Sequence, residues 1–255
     1  MKNFRQHYEE NMGILSDLKV LYHMALRPVR GKDHASRMEN FYGGQAEDYD
    51  KFRKRLLKGR EELWQHLGVQ DNEVWLDMGG GTGANLEAFG EDIRRLKKVY
   101  VVDLAGSLLK MAEQRAQSRN WQNVTVAEAD ATKFIPEEQQ ADVITFSYSL
   151  TMIPDWFAAI QHAYQLLKPG GRIGVVDFYV SRKHPDTVFQ KHGWATRSFW
   201  PVWFASDNVF PSPDHVPFLH RLFEPVYFEE CKTRIPWFPI PLFKMPYYIF
   251  IGRKN

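Results

Sequence analysis

From Val74 to Phe178 the chain alternates short apolar runs with stretches of helical periodicity. The apolar runs are Val74–Met78, Val99–Asp103, Asn123–Glu128, Asp142–Ser147 and Arg172–Phe178. Each has the length and apolar content of a buried strand. Helical spacing fills the gaps near Ser107–Arg119 and Asp155–Leu167, and Lys168-Pro-Gly-Gly171 reads as a helix stop and turn. Strands alternating with helices of this length predict a parallel, doubly wound α/β sheet. Upstream, residues 1 to about 70 read as amphipathic helix. Phe41, Gln45, Tyr49 and Arg53 recur every fourth residue and so share one helix face, either a functional edge or a packing face. Downstream, aromatic residues and prolines concentrate between Trp194 and Phe250. They predict an irregular insertion at about 182–222, then two late strands near Glu224–Cys231 and Tyr247–Gly252. The expected organisation is an N-terminal helical segment, residues 1–70, and one α/β domain, residues 71–255.

Composition narrows the classes. The chain has 255 residues, 44% hydrophobic and 25% charged, the balance of an ordinary globular domain with a full core. Basic residues number 33 against 31 acidic, a net charge of +2, and no block of five like charges occurs. That is a poor footprint for a phosphate backbone, so no nucleic acid partner is expected. The single cysteine, Cys231, excludes a disulfide framework and reads as a small buried residue. The histidines show no metal-ligand spacing, and no metal is expected. The start, MKNFRQHYEENMG, lacks the apolar stretch of a secretory signal. No run of about 18 apolar residues occurs, and the nearest candidate, Ile235 to Ile251, is broken by Pro236, Pro239, Pro241 and Pro246. These features predict a cytoplasmic chain, soluble or peripheral to a membrane.

The candidate chemistry begins at VWLDMGGGTGANL, Val74 to Leu86, a strand, a glycine turn and a helix start. Gly79, Gly81 and Ala84 fit the spacing of a dinucleotide loop, with Gly83 among them. No Gly-Lys-Ser/Thr follows, so the phosphate-loop reading fails. Three carboxylates shift the balance. Asp77, just before the glycines, would repel a pyrophosphate at the helix start and suit an ammonium group. Asp103, ending the second strand with Leu104 beside it, can accept both hydroxyls of a ribose. Asp130, with Ala131 after the third strand, can accept from an adenine amino group. An amino acid end, a ribose and an adenine without phosphate describe S-adenosylmethionine. Helix-cap or turn duty is the plain alternative for each carboxylate singly.

Together with the KPGG turn before the fifth strand, these residues resemble the class I S-adenosylmethionine-dependent methyltransferases. The resemblance spans about residues 70 to 180. It implies a Rossmann-like, mostly parallel, seven-stranded doubly wound sheet, with Ser147 at the end of strand four among the cofactor contacts.

Longer strings narrow it further. After strand four the chain reads TFSYSLTMIPDWF, not the Asn/Asp-Pro-Pro-aromatic motif of nucleic-acid amino methyltransferases. That stretch is similar to the methyltransferase half of betaine-lipid synthase. So are HASRMENFYGGQAEDYDKFR, GVVDFYVS, WATRSFWPVWFASDNV and MPYYIFIGR. Lys244-Met245-Pro246 departs from the Arg-Ala-Pro type of sequence expected there. The resemblance implies trimethylation of the amine of diacylglyceryl-homoserine at a membrane surface. The homoserine lipid would come from a separate enzyme.

Such transfer needs donor and acceptor held at attack distance more than it needs a strong base. Tyr148 and Tyr49 are the expected catalytic phenols. Tyr42, Tyr49, Tyr148 and Trp200 could form an aromatic cage for a methylated ammonium, each contact contributing about 2 kcal/mol when desolvated. Core packing is the ordinary alternative for each. Arg53 and Arg197, with Arg37 as a third, could pair with the substrate carboxylate, or form surface ion pairs. The residues leave open methylation of a soluble phenol or quinone precursor, an NAD-dependent oxidoreductase, and a non-catalytic S-adenosylmethionine-binding protein.

Overall fold

The computed structural model describes residues 56–205, 208–234 and 244–255. The elements are α1 (Arg60–Leu67), β1 (Val74–Met78), α2 (Leu86–Phe89), a 3-10 turn (Gly90–Arg95), β2 (Lys98–Asp103), α3 (Gly106–Ser118), β3 (Val124–Glu128), β4 (Ala141–Ser147), α4 (Trp156–Leu166), β5 (Leu167–Phe178), α5 (Trp194–Ala205), α6 (His215–Leu222), β6 (Glu224–Thr233) and β7 (Met245–Arg253). The strands form one seven-stranded sheet in the order β3-β2-β1-β4-β5-β7-β6. β1 to β5 pair in parallel, while β7 runs antiparallel between β5 and β6. The expected doubly wound sheet is therefore present.

Side-chain alternation splits the core into two layers. Trp75, Val101, Val143 and Val176 face one side, where Leu63, Leu67, Leu109, Ala112, Trp200 and Phe204 bring in α1, α3 and α5. Leu76, Val102, Ile144 and Val175 face the other, covered by Ile160 and Ala163 of α4 and by Val216 and Leu219 of α6. The close seat of α1 depends on Gly174, where an added Cβ would stand 2.9 Å from Leu67 Cδ1. α4 starts at Asp155, whose side chain accepts from the Ala158 amide at 3.0 Å. Chain order reverses between β2-β1 and β4, and open α/β sheets bind ligands outside the carboxyl ends of strands at such a reversal.

Three sequence expectations change. The KPGG stretch is the first part of β5, not a turn ahead of it. Gly170, at φ 77°, donates its amide to the Lys254 carbonyl at 2.8 Å, and Lys254 returns a bond to the Gly171 carbonyl at 2.9 Å. The insertion is not irregular, since it holds α5 and α6. α5 forms despite Pro201 because Trp200 and Phe204 anchor one face in the core. Cys231 is half-buried rather than buried. Of the N-terminal helical segment only α1 and its lead-in are described. Tyr42, Tyr49, Arg37 and Arg53 lie outside the described residues.

Candidate active site

A cleft of about 260 Å³ opens at the carboxyl ends of β1, β2 and β4. The loop after β1 forms its floor. Gly79, Gly81 and Gly83 all have positive φ, at 71°, 56° and 67°. Only glycine adopts this repeatedly without strain. At Gly79 the need is also spatial, because an added Cβ would lie 2.4 Å from Ser149 Cβ. At Gly83 it would lie 3.1 Å from Ala112 Cβ, so that glycine seats α3 against the loop.

The loop amides are spent inside the protein. Gly79 and Gly80 both donate to the Val102 carbonyl, at 2.8 and 3.1 Å, and Gly83 donates to Gly80 at 3.0 Å. Gly81 donates to Asp103 Oδ2 at 2.9 Å, while Ala105 takes Asp103 Oδ1 at 2.9 Å. Those four amides are unavailable for the inward-pointing anion nest that a pyrophosphate requires. Among the residues lining the cleft the charged groups are Asp103, Asp130 and Asp155, all carboxylates. Both features disfavour the dinucleotide alternative and suit a cationic, phosphate-free ligand.

Asp130 lies across the cleft from the loop. Thr132 binds its Oδ1 twice, through amide and hydroxyl, at 2.8 and 2.7 Å. Its Oδ2 has no hydrogen-bond partner among the described residues and remains available as an acceptor. Leu104, Leu108, Ala131 and Ile153 supply the apolar wall between the two carboxylates. A ribose at Asp103, an adenine against the apolar wall and an amino group at Asp130 fit this donor and acceptor set.

Asp77 behaves differently from its expected contact with a ligand ammonium. It is fully buried behind the loop. Asn85 donates to both its oxygens at 3.1 and 2.9 Å, and the Thr145 hydroxyl donates at 2.9 Å. Trp75 donates its indole N–H to Thr145 at 2.8 Å, which completes a buried chain from β1 to β4. Asp77 thus fixes the glycine turn to the residue opening α2. Burial pushes its pKa up to about 6, against the hydrogen bonds that lower it.

Ser147 is buried too, its hydroxyl accepting from Arg60 Nε at 3.0 Å, and it does not line the cleft. Tyr148 does line it, in a left-handed conformation at φ 56°. Its hydroxyl donates to the Lys58 carbonyl at 2.6 Å, and burial holds the phenol well above its usual pKa. In this arrangement the ring, not the oxygen, is what Tyr148 offers the cleft. A proton-accepting role would require that bond to break. Trp200 is fully buried, with its indole donating to the Lys244 carbonyl at 3.2 Å, so it supports the core rather than an open cage. Arg197 sits half-buried on α5; burial lowers the pKa of the nearby His192 imidazole, and Lys232 and then Arg197 add to that lowering.

Sequence reasoning missed four residues. Arg60 stands with its guanidinium 5.6 Å from the Tyr148 ring centre and its Nε bonded to the Ser147 hydroxyl, behind the residues that line the cleft. Ser149 ties the loop after β4 to the Met78 carbonyl at 2.8 Å. Asp177, fully buried, accepts from the Thr151 hydroxyl at 2.8 Å, the Thr151 amide at 3.1 Å and the Phe178 amide at 2.7 Å. It shapes the same loop from β5. Its signal was readable, because Val-Val-Asp at the end of β5 repeats Val-Val-Asp at the end of β2. Asn85 completes the set, but a lone asparagine after a glycine turn carried no such signal.

Comparison with known proteins agrees with this geometry. Residues 32–197 match the ubiE/COQ5 methyltransferase family. The ubiquinone/menaquinone biosynthesis C-methyltransferase UbiE of Escherichia coli is 28% identical over 162 residues, 61% of this chain and 64% of the relative. The match thus spans less than two thirds of that relative's length. YcgJ of Bacillus subtilis superposes with a TM-score of 0.60 at 17% identity, covering 77% of this chain and 98% of that one. A Haemonchus contortus phosphoethanolamine N-methyltransferase, solved with S-adenosylhomocysteine, gives a TM-score of 0.61 at 13% identity, covering 84% of this chain and 59% of that one. At such identities the superpositions speak for the fold alone. The family match covers well over half the chain. This chain therefore belongs to the ubiE/COQ5 methyltransferase family and has the Rossmann-like, seven-stranded fold of the class I methyltransferases.

Proposed function

We propose that this methyltransferase acts on the amine of diacylglyceryl-homoserine and carries it to the trimethylated betaine lipid. The observation behind the reading is the chemistry at the Tyr148 end of the cleft. The charged lining groups are carboxylates, and the Tyr148 ring already stands near the Arg60 guanidinium. Carboxylates and an aromatic face suit an ammonium that gains methyl groups. In this reading the substrate carboxylate pairs with Arg60, whose guanidinium stands 5.6 Å from the Tyr148 ring centre. The strings that resemble betaine-lipid synthase support the same acceptor.

Bound S-adenosylmethionine supplies an electrophilic methyl group on a sulfonium. The chain does the holding. Asp103 accepts from the ribose hydroxyls, Asp130 from the adenine amino group, and Gly79 and Gly81 allow close approach. Asp77 and Asn85 keep the turn in shape. Tyr148 and Ser149 wall the acceptor end, and fixed attack distance supplies most of the acceleration. A neutral amine needs no strong base, because water can take the released proton. Tyr42, Tyr49, Arg53 and Arg197 are further residues that this reading assigns to acceptor recognition. The enzyme works as a cytoplasmic protein peripheral to a membrane, on lipid made by a separate enzyme.

A second reading, C-methylation of a soluble phenol or quinone precursor, is favoured by the curated relatives, which are C-methyltransferases. One experiment separates the two. The protein is incubated with labelled S-adenosylmethionine and either diacylglyceryl-homoserine in mixed micelles or a quinol lacking the ring methyl. Mass spectrometry should find mono-, di- and trimethylated homoserine lipid. Label on the quinol ring with unmodified lipid would overturn the first reading in favour of the second. Label on neither acceptor, with cofactor bound, would overturn both and favour a binding protein.

A further inference from the structure

We propose that the outer face of α5 docks on an anionic lipid bilayer. α5 is twelve residues long and carries one charged residue, Arg197, and no acid. Its inner face is anchored by Trp200 and Phe204. Its outer face presents Trp194, Ala195, Ser198, Val202 and Ala205, all exposed, at the three- and four-residue spacing of one helical stripe. Trp194 is 76% and Val202 77% exposed, values unusual for such large apolar side chains. Phe210, just after the helix, is 55% exposed.

Two observations choose a bilayer over a protein partner. The first is charge. Lys191 lies three residues before Trp194 and is exposed. Lys232, which is exposed, and Arg197 both act electrostatically on His192, two residues before the helix. The nearby Glu230 is already engaged by the Tyr179 hydroxyl at 2.6 Å and the Gln190 amide at 2.8 Å. A tryptophan-bearing apolar face rimmed by lysines is the pattern of an interfacial helix on anionic lipid. The second is position. The Phe210 amide donates to the Thr151 carbonyl at 2.7 Å, and Thr151 adjoins Met152, which lines the cleft. α5 itself reaches the cleft wall through Phe204, stacked on Phe178, whose ring meets the cleft-lining Tyr148 edge-on, so a lipid headgroup could pass from the docking face to the cleft.

This inference deepens the lipid-acceptor reading and rests on it for its purpose, but its test is separate. The full chain is floated with phosphatidylcholine vesicles, with and without phosphatidylglycerol, none of them containing the homoserine lipid. Partition should require phosphatidylglycerol, weaken with salt, and fall about tenfold or more in Trp194→Ala/Val202→Glu. Lys191→Ala/Lys232→Ala should lower partition on anionic vesicles alone. Both sites are exposed, and S-adenosylmethionine binding by each variant reports that the fold is intact. No partition of the unmutated chain, or partition unchanged by these substitutions, would overturn the docking face. So would a concentration-dependent dimer abolished by Trp194→Ala/Val202→Glu without vesicle binding, which would assign the face to a second copy. Methylation of diacylglyceryl-homoserine in micelles is read independently, so failure of the substrate assignment remains distinguishable.

Discussion

The Gly81 amide donates to Asp103 Oδ2 at 2.9 Å, so the carboxylate that faces the cleft also fastens the glycine turn. One residue thus joins ligand recognition to loop geometry. Asp103→Ala removes the ribose acceptor and frees the Gly81 amide. Isothermal titration with S-adenosylmethionine should show binding weakened by more than about tenfold, the equivalent of one lost charge-assisted hydrogen bond. An unchanged dissociation constant would count against the assignment.

Gly79 and Ser149 test the packing of the same turn. Gly79→Ala combines a strained φ with a Cβ 2.4 Å from Ser149 Cβ. The strain alone costs on the order of 1–3 kcal/mol. Cofactor binding should fall by more than about tenfold, with a lowered melting temperature. Ser149→Gly in the Gly79→Ala background removes the clash but not the strain, so it should restore binding in part. Full additivity in this double-mutant cycle would mean that the two positions do not meet.

Asp77 predicts a stability that falls as pH rises through its titration. Burial raises its folded pKa to about 6, above the value of an unfolded carboxyl. Between about pH 4 and pH 6 the folded state therefore holds more of this proton than the unfolded state, and the group's contribution declines with increasing pH. Asp77→Asn lacks that slope. In urea titrations the stability of the unmutated chain relative to Asp77→Asn should be greater at pH 4.5 than at pH 7, by an amount on the order of 1–3 kcal/mol. A constant difference across that range would refute the buried titration.

His215 predicts the opposite slope. It is fully buried edge-on to Trp156, neither ring nitrogen has a hydrogen-bond partner among the described residues, and burial pushes its pKa down to about 3. The unfolded imidazole binds a proton near its ordinary pKa of about 6.5, so stability is complete above that pH and is lost progressively towards about pH 3. His215→Phe removes this loss. The variant should gain stability over the unmutated chain at pH 5 compared with pH 8. An equal difference at both pH values would show that His215 does not titrate on unfolding.

The sheet was largely legible because strand and helix periods differ along the region from Val74 to Phe178. Asp103, at the end of its strand, and Asp130, just past the next, both line the cleft. Asp77 shows the limit of that reading. Spacing placed it at a strand end but not on a side, and its carboxylate meets Asn85 and Thr145 rather than the cleft. Tyr148 shows another limit. Its left-handed backbone and its bond to Lys58 join segments that lie 90 residues apart, a relationship no local pattern encodes. Likewise, prolines and aromatics read as irregular where burial of Trp200 and Phe204 selects a helix.

The pairing of Lys254 with Gly170 and Gly171 has a practical side. It holds the last described residues at the amino-terminal end of β5, opposite the strand ends that form the cleft. A tether attached at this end of the sheet would orient the immobilised protein with its cleft away from the support. Such a preparation would leave substrate access and the α5 face unobstructed on a sensor chip.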